Sequence, residues 1–304
     1  MLGRHSAIVR VFFLLRDSIS GWLGNDAILH SGALAYFTIF SLAPLLIIST
    51  AVAGMLFSEA AVEGLVVEML EGFIGTDAAQ LVEEIILNSS LTTSSGLAAL
   101  IGGLVLFYGS ALVFIRLQKA IHAMWELSPP QDTRGGVISL IKTGLLSAAG
   151  AIIVGVYLAI LLIISTLITA IPQQIPYNYL AEFSANHEFL LALIHFLIAP
   201  ILYILPFALI YKVLPKARVC WRDVWPGATL AAIFFWIGGN LIGLYLTYSG
   251  ATSIYGAAGS LVAILIWVFY SAMVVLYGAK FTQVYANMYG TPIEPVEGHT
   301  FKSD

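Results

Sequence analysis

The longest uncharged stretch of the chain lies between Asp223 and Lys280, where no Asp, Glu, Lys, Arg or His occurs. A hydrocarbon core of ~30 Å takes about 20 helical residues to cross, so this stretch is too long for one passage and fits two. The small and polar residues at 247–255 (TYSGATSIY) supply the turn, and residues 221–283 are expected to form a membrane-spanning helical hairpin. Four more apolar runs of crossing length precede it, at 31–57, 97–115, 143–171 and 189–211. Pro44 in the first run, and Pro200 and Pro206 in the fourth, remove backbone donors inside those helices and are candidate hinges. The run at 143–171 exceeds the hydrocarbon thickness and requires tilt or extension beyond the lipid.

Three other stretches carry a one-sided apolar pattern. In 1–30, Ile8, Val9, Phe12, Leu15, Ile19 and Leu23 recur at helical spacing, with Arg4, Arg10 and Arg16 elsewhere around the helix. That stripe suits a helix lying on an anionic membrane surface, or a solvated helix packed on the protein's own face. In 58–95, Ala78, Leu81, Val82, Ile85 and Ile86 follow a Thr76/Asp77 cap, and a less regular segment at 62–73 precedes them. In 116–127, Leu117, Ala120, Ile121, Met124 and Trp125 share a face, so the second crossing continues out of the bilayer until Ser128-Pro129-Pro130 stops it. The fold class is all-α: a polytopic membrane protein with six transmembrane helices and interfacial amphipathic helices. Residues 1–30 form the interfacial helix, 31–290 the six-helix domain with an acidic outer cap at 58–95, and 291–304 a polar tail.

Composition supports this reading, since 60% of the 304 residues are hydrophobic and 10% charged, against roughly 25% charged in a soluble domain. A single cysteine, Cys220, excludes an internal disulfide framework. The net charge of −4 conceals a strict segregation. With six crossings, all 13 Lys and Arg residues fall on the side that holds both termini, whereas 58–95 carries acids and no base. By the positive-inside rule the basic side, with both termini, is cytoplasmic.

Candidate chemistry is sparse. The chain has no phosphate-binding glycine loop, HExxH, paired cysteine ligands or GxSxG, so no enzymatic activity, cofactor or metal is expected. The basic face is accounted for by topology, and no nucleic-acid partner is expected. Thr229, Trp236, Asn240, Gly243 and Thr247 share one face of the fifth helix by 100° spacing. Such a stripe either lines a cavity or ligand path or permits close helix contact, and Gly239-xxx-Gly243 on its edge favours contact. Gly256, Gly259 and Ala263 lie on the face of the sixth helix that bears Tyr270 and Tyr277, which either line a pocket or pack as ordinary aromatics. Lys280, a turn beyond Tyr277, is expected to snorkel to the headgroups. His195, inside the fourth crossing, is either a candidate site or a neutral imidazole bonded to a neighbouring helix.

The segments HSGALAYFTIFSLAPLL at 30–46, LQKAIHAMW at 117–125, WRDVWPGA at 221–228 and SIYGAAGSLVAILIWVFYSAMVVLYGAKFTQVYA at 253–286 resemble the YihY/BrkB family of bacterial inner-membrane proteins. The resemblance runs in order along nearly the whole chain and implies the six-helix plan and a bacterial cytoplasmic membrane. It supplies no catalytic set, and some members once carried a ribonuclease BN label. Lys280 stands where the family commonly has an acidic residue, and His122 where it commonly has Asn. The functional expectation is a transporter not driven by ATP, or a transport partner, for an amphipathic envelope molecule such as a lipid. The alternatives are a non-transporting scaffold for envelope assembly and a membrane-bound ribonuclease. The expected partners are membrane lipids and envelope-assembly proteins.

Overall fold

The computed structural model describes residues 7–39, 71, 79–80, 83–84, 112–128, 201–249, 259–296 and 300–301. The crossing at 143–171, Pro44, Pro200, His195 and Gly256 lie outside the described residues. So does the acidic cap at 58–95, apart from helical positions at 71, 79–80 and 83–84. Helices dominate the rest: α1 (Ala7–Gly24), α2 (Ala27–Ile39), α3 (112–124), α4 (Ile201–Val213), α5 (Trp221–Ser249) and α6 (Gly259–Tyr289).

The hairpin expected at 221–283 appears as α5 and α6, of 29 and 31 residues. At 1.5 Å per residue they measure about 43 Å and about 46 Å, enough to pass a bilayer core with turns to spare. Both are long and apolar enough to cross a membrane, and they pack on each other more extensively than any other pair described. Their closest approach is set by small residues. A Cβ at Gly227 would strike the Thr282 hydroxyl and come within 2.8 Å of the Gly278 carbonyl, and a Cβ at Gly278 would strike the Tyr211 hydroxyl. Ala228, Ala231, Ala232 and Ala279 are fully buried around that crossing. Gly239 and Gly243, which the sequence singled out, are buried as well. The contact with α6, however, uses Gly227, Ala231 and Gly238, because these repeat at helical spacing on the opposite side of α5.

α3, α4, α5 and α6 meet in one apolar cluster built on Ile121, Met124, Trp125, Tyr211, Val224 and Leu276, all buried. α2 joins it through Ala27 and Leu34, and α1 packs against α6. Pro206 lies inside α4, helical on both sides of it, and Pro226 lies in the second turn of α5.

Two findings modify the all-α reading. The tail carries short strands: Glu294–Pro295 pairs antiparallel with Ala217–Arg218, and Thr300–Phe301 with Leu127–Ser128. These four two-residue strands fasten the tail to the segments that follow α3 and α4, and Ile293 is buried beside them. The helix of 112–124 also ends before Ser128, because Glu126 adopts a left-handed backbone (φ 58°) that no helix continues through. At the other break, Asp26 (φ 52°) turns the chain, and α2 starts at Ala27 rather than at the expected residue 31.

Candidate functional site: a buried lysine at the end of the hairpin

Polar chemistry concentrates where α6 leaves the apolar core. Lys280 does not snorkel. Its side chain is 6% exposed and forms an ion pair with Glu126 at 2.7 Å, the carboxylate partner being 48% exposed. The ammonium also donates to the Met124 carbonyl at 3.0 Å and to Gln283 Oε1 at 2.8 Å. Three donors thus meet three acceptors, which is how a buried cation keeps its charge without solvent. The site is reached because Gly21 of α1 leaves room for the lysine stem, which a Cβ there would strike at Cε.

The acceptors are held in turn. Gln283 Nε2 donates to the Trp125 carbonyl at 2.9 Å, and the Trp125 indole donates to the Ala279 carbonyl at 2.7 Å. The first of these satisfies a carbonyl freed where α3 stops, and the second ties the indole to the backbone of α6. Asn25 Nδ2 donates to the Gly21 carbonyl at 2.8 Å and to Glu126 Oε1 at 3.3 Å, so the end of α1 is tied to the same carboxylate. Glu126 reaches both partners from its left-handed position, and Asp26, also left-handed, lies next to Asn25.

Neighbouring bonds extend the network. The Tyr211 hydroxyl donates to the Val275 carbonyl at 2.9 Å, Gln118 to the Leu214 carbonyl at 2.6 Å, and the Lys216 amide to His122 Nε2 at 3.0 Å. His122 is therefore an acceptor that joins α3 to the α4–α5 connection. Asp223, buried in the first turn of α5, accepts the Thr291 amide at 3.0 Å and lies against Gly290, where a Cβ would strike its carboxylate. Lys212 donates to the Val219 carbonyl and sits 5.8 Å from the Trp221 ring centroid, and Arg116 lies 4.3 Å from that of Phe37.

The sequence-selected stripe is placed elsewhere. Asn240 is exposed, and its amide donates to the Trp236 carbonyl of its own helix at 2.6 Å. Thr229 and Trp236 are half-buried, Gly243 is buried, and Thr247 belongs to the last turns of α5. Tyr270 reaches the other side of α5: its hydroxyl donates to the Phe234 carbonyl at 2.6 Å and its ring fills the space left by Gly238. Tyr277 stacks on Phe234 at 5.8 Å and meets Trp22 edge-on at 6.2 Å. The stripe and the two tyrosines thus occupy opposite sides of α5 and do not converge on one pocket among the described residues.

Sequence reasoning named Lys280 and missed its partners. The signal was there in part: Lys280 and Gln283 are spaced to share a helix face, and Glu126 directly follows the apolar face of α3. Nothing local links these to Asn25. Chemically, a cation with all its protons engaged serves as neither nucleophile nor base; it positions helices. Among the described residues no group of three or more His, Cys, Asp or Glu could hold a metal.

Comparison with known proteins agrees with this membrane architecture. A UPF0761 membrane protein of Mannheimia succiniciproducens is 28% identical over 263 residues, which cover 85% of this chain and 84% of the relative. One from Pseudoalteromonas translucida is 26% identical over 270 residues, covering 87% and 83%. One from Acinetobacter baylyi is 26% identical over 253 residues, covering 83% of this chain but 57% of the relative, so the chain spans little more than half of that protein. No solved structure matches. The pattern that defines the family described as Virulence factor BrkB matches residues 18–298, and the chain is therefore an integral membrane protein belonging to that family.

Proposed function

We propose that the protein is a transporter not driven by ATP, or a transport partner, for an amphipathic envelope molecule such as a lipid. In this reading six crossings lie in the bacterial cytoplasmic membrane, with both termini in the cytoplasm. The observation that carries the reading is the Lys280–Glu126–Asn25 clasp. It joins α1, α3 and α6 at one end of the hairpin through an ion pair whose carboxylate is half in solvent. A pair that is strong when closed and open to water on one side suits a gate that opens and re-forms, which alternating access requires. No catalytic step is proposed.

A second reading, a scaffold for envelope assembly, draws on a different observation: Asn240 and Tyr270 each donate a side-chain hydrogen bond to a backbone carbonyl. A polar path closed in this way needs no cargo.

The experiment that separates the two is reconstitution of purified protein into vesicles containing a fluorescent phospholipid, with leaflet exchange read by a reductant added outside. Transport predicts exchange above protein-free vesicles and a several-fold change in its rate with Glu126→Gln. Exchange equal to protein-free vesicles, together with no lipid retained in native mass spectra, favours the scaffold. Orientation is tested separately. Cys220, which is exposed, is expected to react with an impermeant thiol reagent only after permeabilisation, and a cysteine at Glu83 or Glu182 to react from outside.

A further inference from the structure

The surface of α1 divides into three faces, counted at 100° per residue. One face is packed: Leu14 and Ser18 are buried, Gly21 meets the stem of Lys280, and Asn25 continues the line into the clasp. Ser18 can lie there because its hydroxyl donates to the Leu14 carbonyl of its own helix at 2.6 Å. A second face is exposed and mostly polar, with Arg10, Asp17 and Ser20 around Phe13, which is 37% exposed. The third is apolar and also exposed: Phe12 is 62% exposed, Ile19 47% and Leu23 52%. Arg16, exposed, stands on the border between the apolar and polar faces.

A helix packed on a soluble protein needs two faces, one toward the core and one toward water. The third face here is outward, apolar and held rigidly, since the packed face is fixed to α6 by the lysine stem and by the Trp22–Tyr277 contact. Exposed apolar surface resumes just past the turn, where Ile28 and Leu29 open α2, a helix apolar enough to continue toward the bilayer. Water on one side, protein on the second and apolar surface on the third is the environment at the boundary between headgroups and acyl chains. There a cation on the border between apolar and polar faces is placed to meet lipid phosphates.

We propose that the Phe12–Ile19–Leu23 face of α1 is seated in the acyl–headgroup boundary of a bilayer containing anionic phospholipid, with Arg16 paired to lipid phosphate. This placement is independent of whether the protein moves lipid. It rests on the membrane character of the family and on the exposure pattern of α1.

The test uses the full chain with Cys220→Ser and single cysteines at Phe12, Ile19 or Leu23 on the apolar face, or Asp17 or Ser20 on the polar face. Each carries an environment-sensitive fluorophore. The proteins are reconstituted into vesicles of phosphatidylethanolamine and phosphatidylglycerol, after confirming that each unfolds at the wild-type temperature. Shallow spin-labelled lipid is expected to quench probes at 12, 19 and 23 several-fold more than those at 17 and 20, and aqueous iodide to show the reverse. Arg16→Gln is expected to lower the ratio of seated to unseated helix about fivefold in the anionic vesicles, the effect of one cation near an anionic surface, and to have no effect in phosphatidylcholine. Equal iodide quenching at all five positions overturns the proposal. So does energy transfer between copies labelled at Phe12 that persists when protein is diluted in lipid, which would assign the face to a second copy. An Arg16→Gln effect that is the same in both vesicle types overturns the phosphate pairing.

Discussion

Where α5 begins and α6 ends, most polar side chains reach from one helix to another, Thr282 excepted, whose hydroxyl bonds the Gly278 carbonyl of its own helix; toward Ser249 and Gly259 they turn back onto their own. Lys280, Gln283, Trp125, Tyr211 and Asp223 all bond across to a different element. Farther along, Asn240 bonds Trp236 and Ser271 bonds Trp267, each one turn back on the same helix. Tyr270, at the same level, still bonds across, to the Phe234 carbonyl. Away from water every donor needs a partner, and both arrangements provide one. The difference lies in what each constrains. A bond to the residue four earlier is satisfied whatever the neighbouring helix does, whereas a bond across fixes register and spacing. One end of the hairpin is therefore specified, and the other is free to adjust against whatever lies beside it.

If that contrast is right, substitutions should rank by end of the hairpin, measured as unfolding free energy in mixed micelles. The largest loss is expected for Trp125→Ala, about 3–5 kcal/mol, because it empties a fully buried volume and also removes the indole's bond to the Ala279 carbonyl. Next is Glu126→Ala, at about 1–3 kcal/mol. This is less than for a wholly buried pair, because the carboxylate is half in solvent, but is substantial because the ammonium left behind is not. A double-mutant cycle with Lys280→Met sharpens this: coupling below about 0.5 kcal/mol would mean the ion pair is incidental.

Tyr270→Phe removes one crossing bond and keeps the ring against Gly238, so a loss of about 1 kcal/mol is expected. Asn240→Leu should do least, within about 0.6 kcal/mol, because its bond is to its own helix and the residue is already exposed. A loss at Asn240 as large as at Glu126 would break the comparison. If Asn240→Leu abolishes complementation of a deletion strain at normal membrane abundance, the stripe works as a ligand path in spite of its closed bond.

The sequence alone determined the membrane character, the α5–α6 hairpin and the amphipathic face of α3, because each follows from local hydrophobic period and from the length a bilayer demands. The helix of Ala7–Gly24 was legible for the same reason, whereas the sequence left open whether its apolar stripe packs on the protein, and the structure leaves Phe12, Ile19 and Leu23 exposed. Tertiary structure decided which small residues make the hairpin contact. Gly227 and Gly278 are no more conspicuous in sequence than Gly239 and Gly243, and only the crossing selects between them. It also decided the fate of Lys280. A lone lysine at the end of an apolar helix reads as a headgroup anchor, and becomes a buried clasp because α1 and the end of α3 arrive beside it from more than 150 residues away. The pairing of the tail was not legible for a related reason: two-residue strands have no periodicity to detect, and their partners lie up to 78 and 174 residues away along the chain. Local pattern reports what a segment must bury, whereas the choice of partner depends on contacts distant in sequence, which carry no local signature.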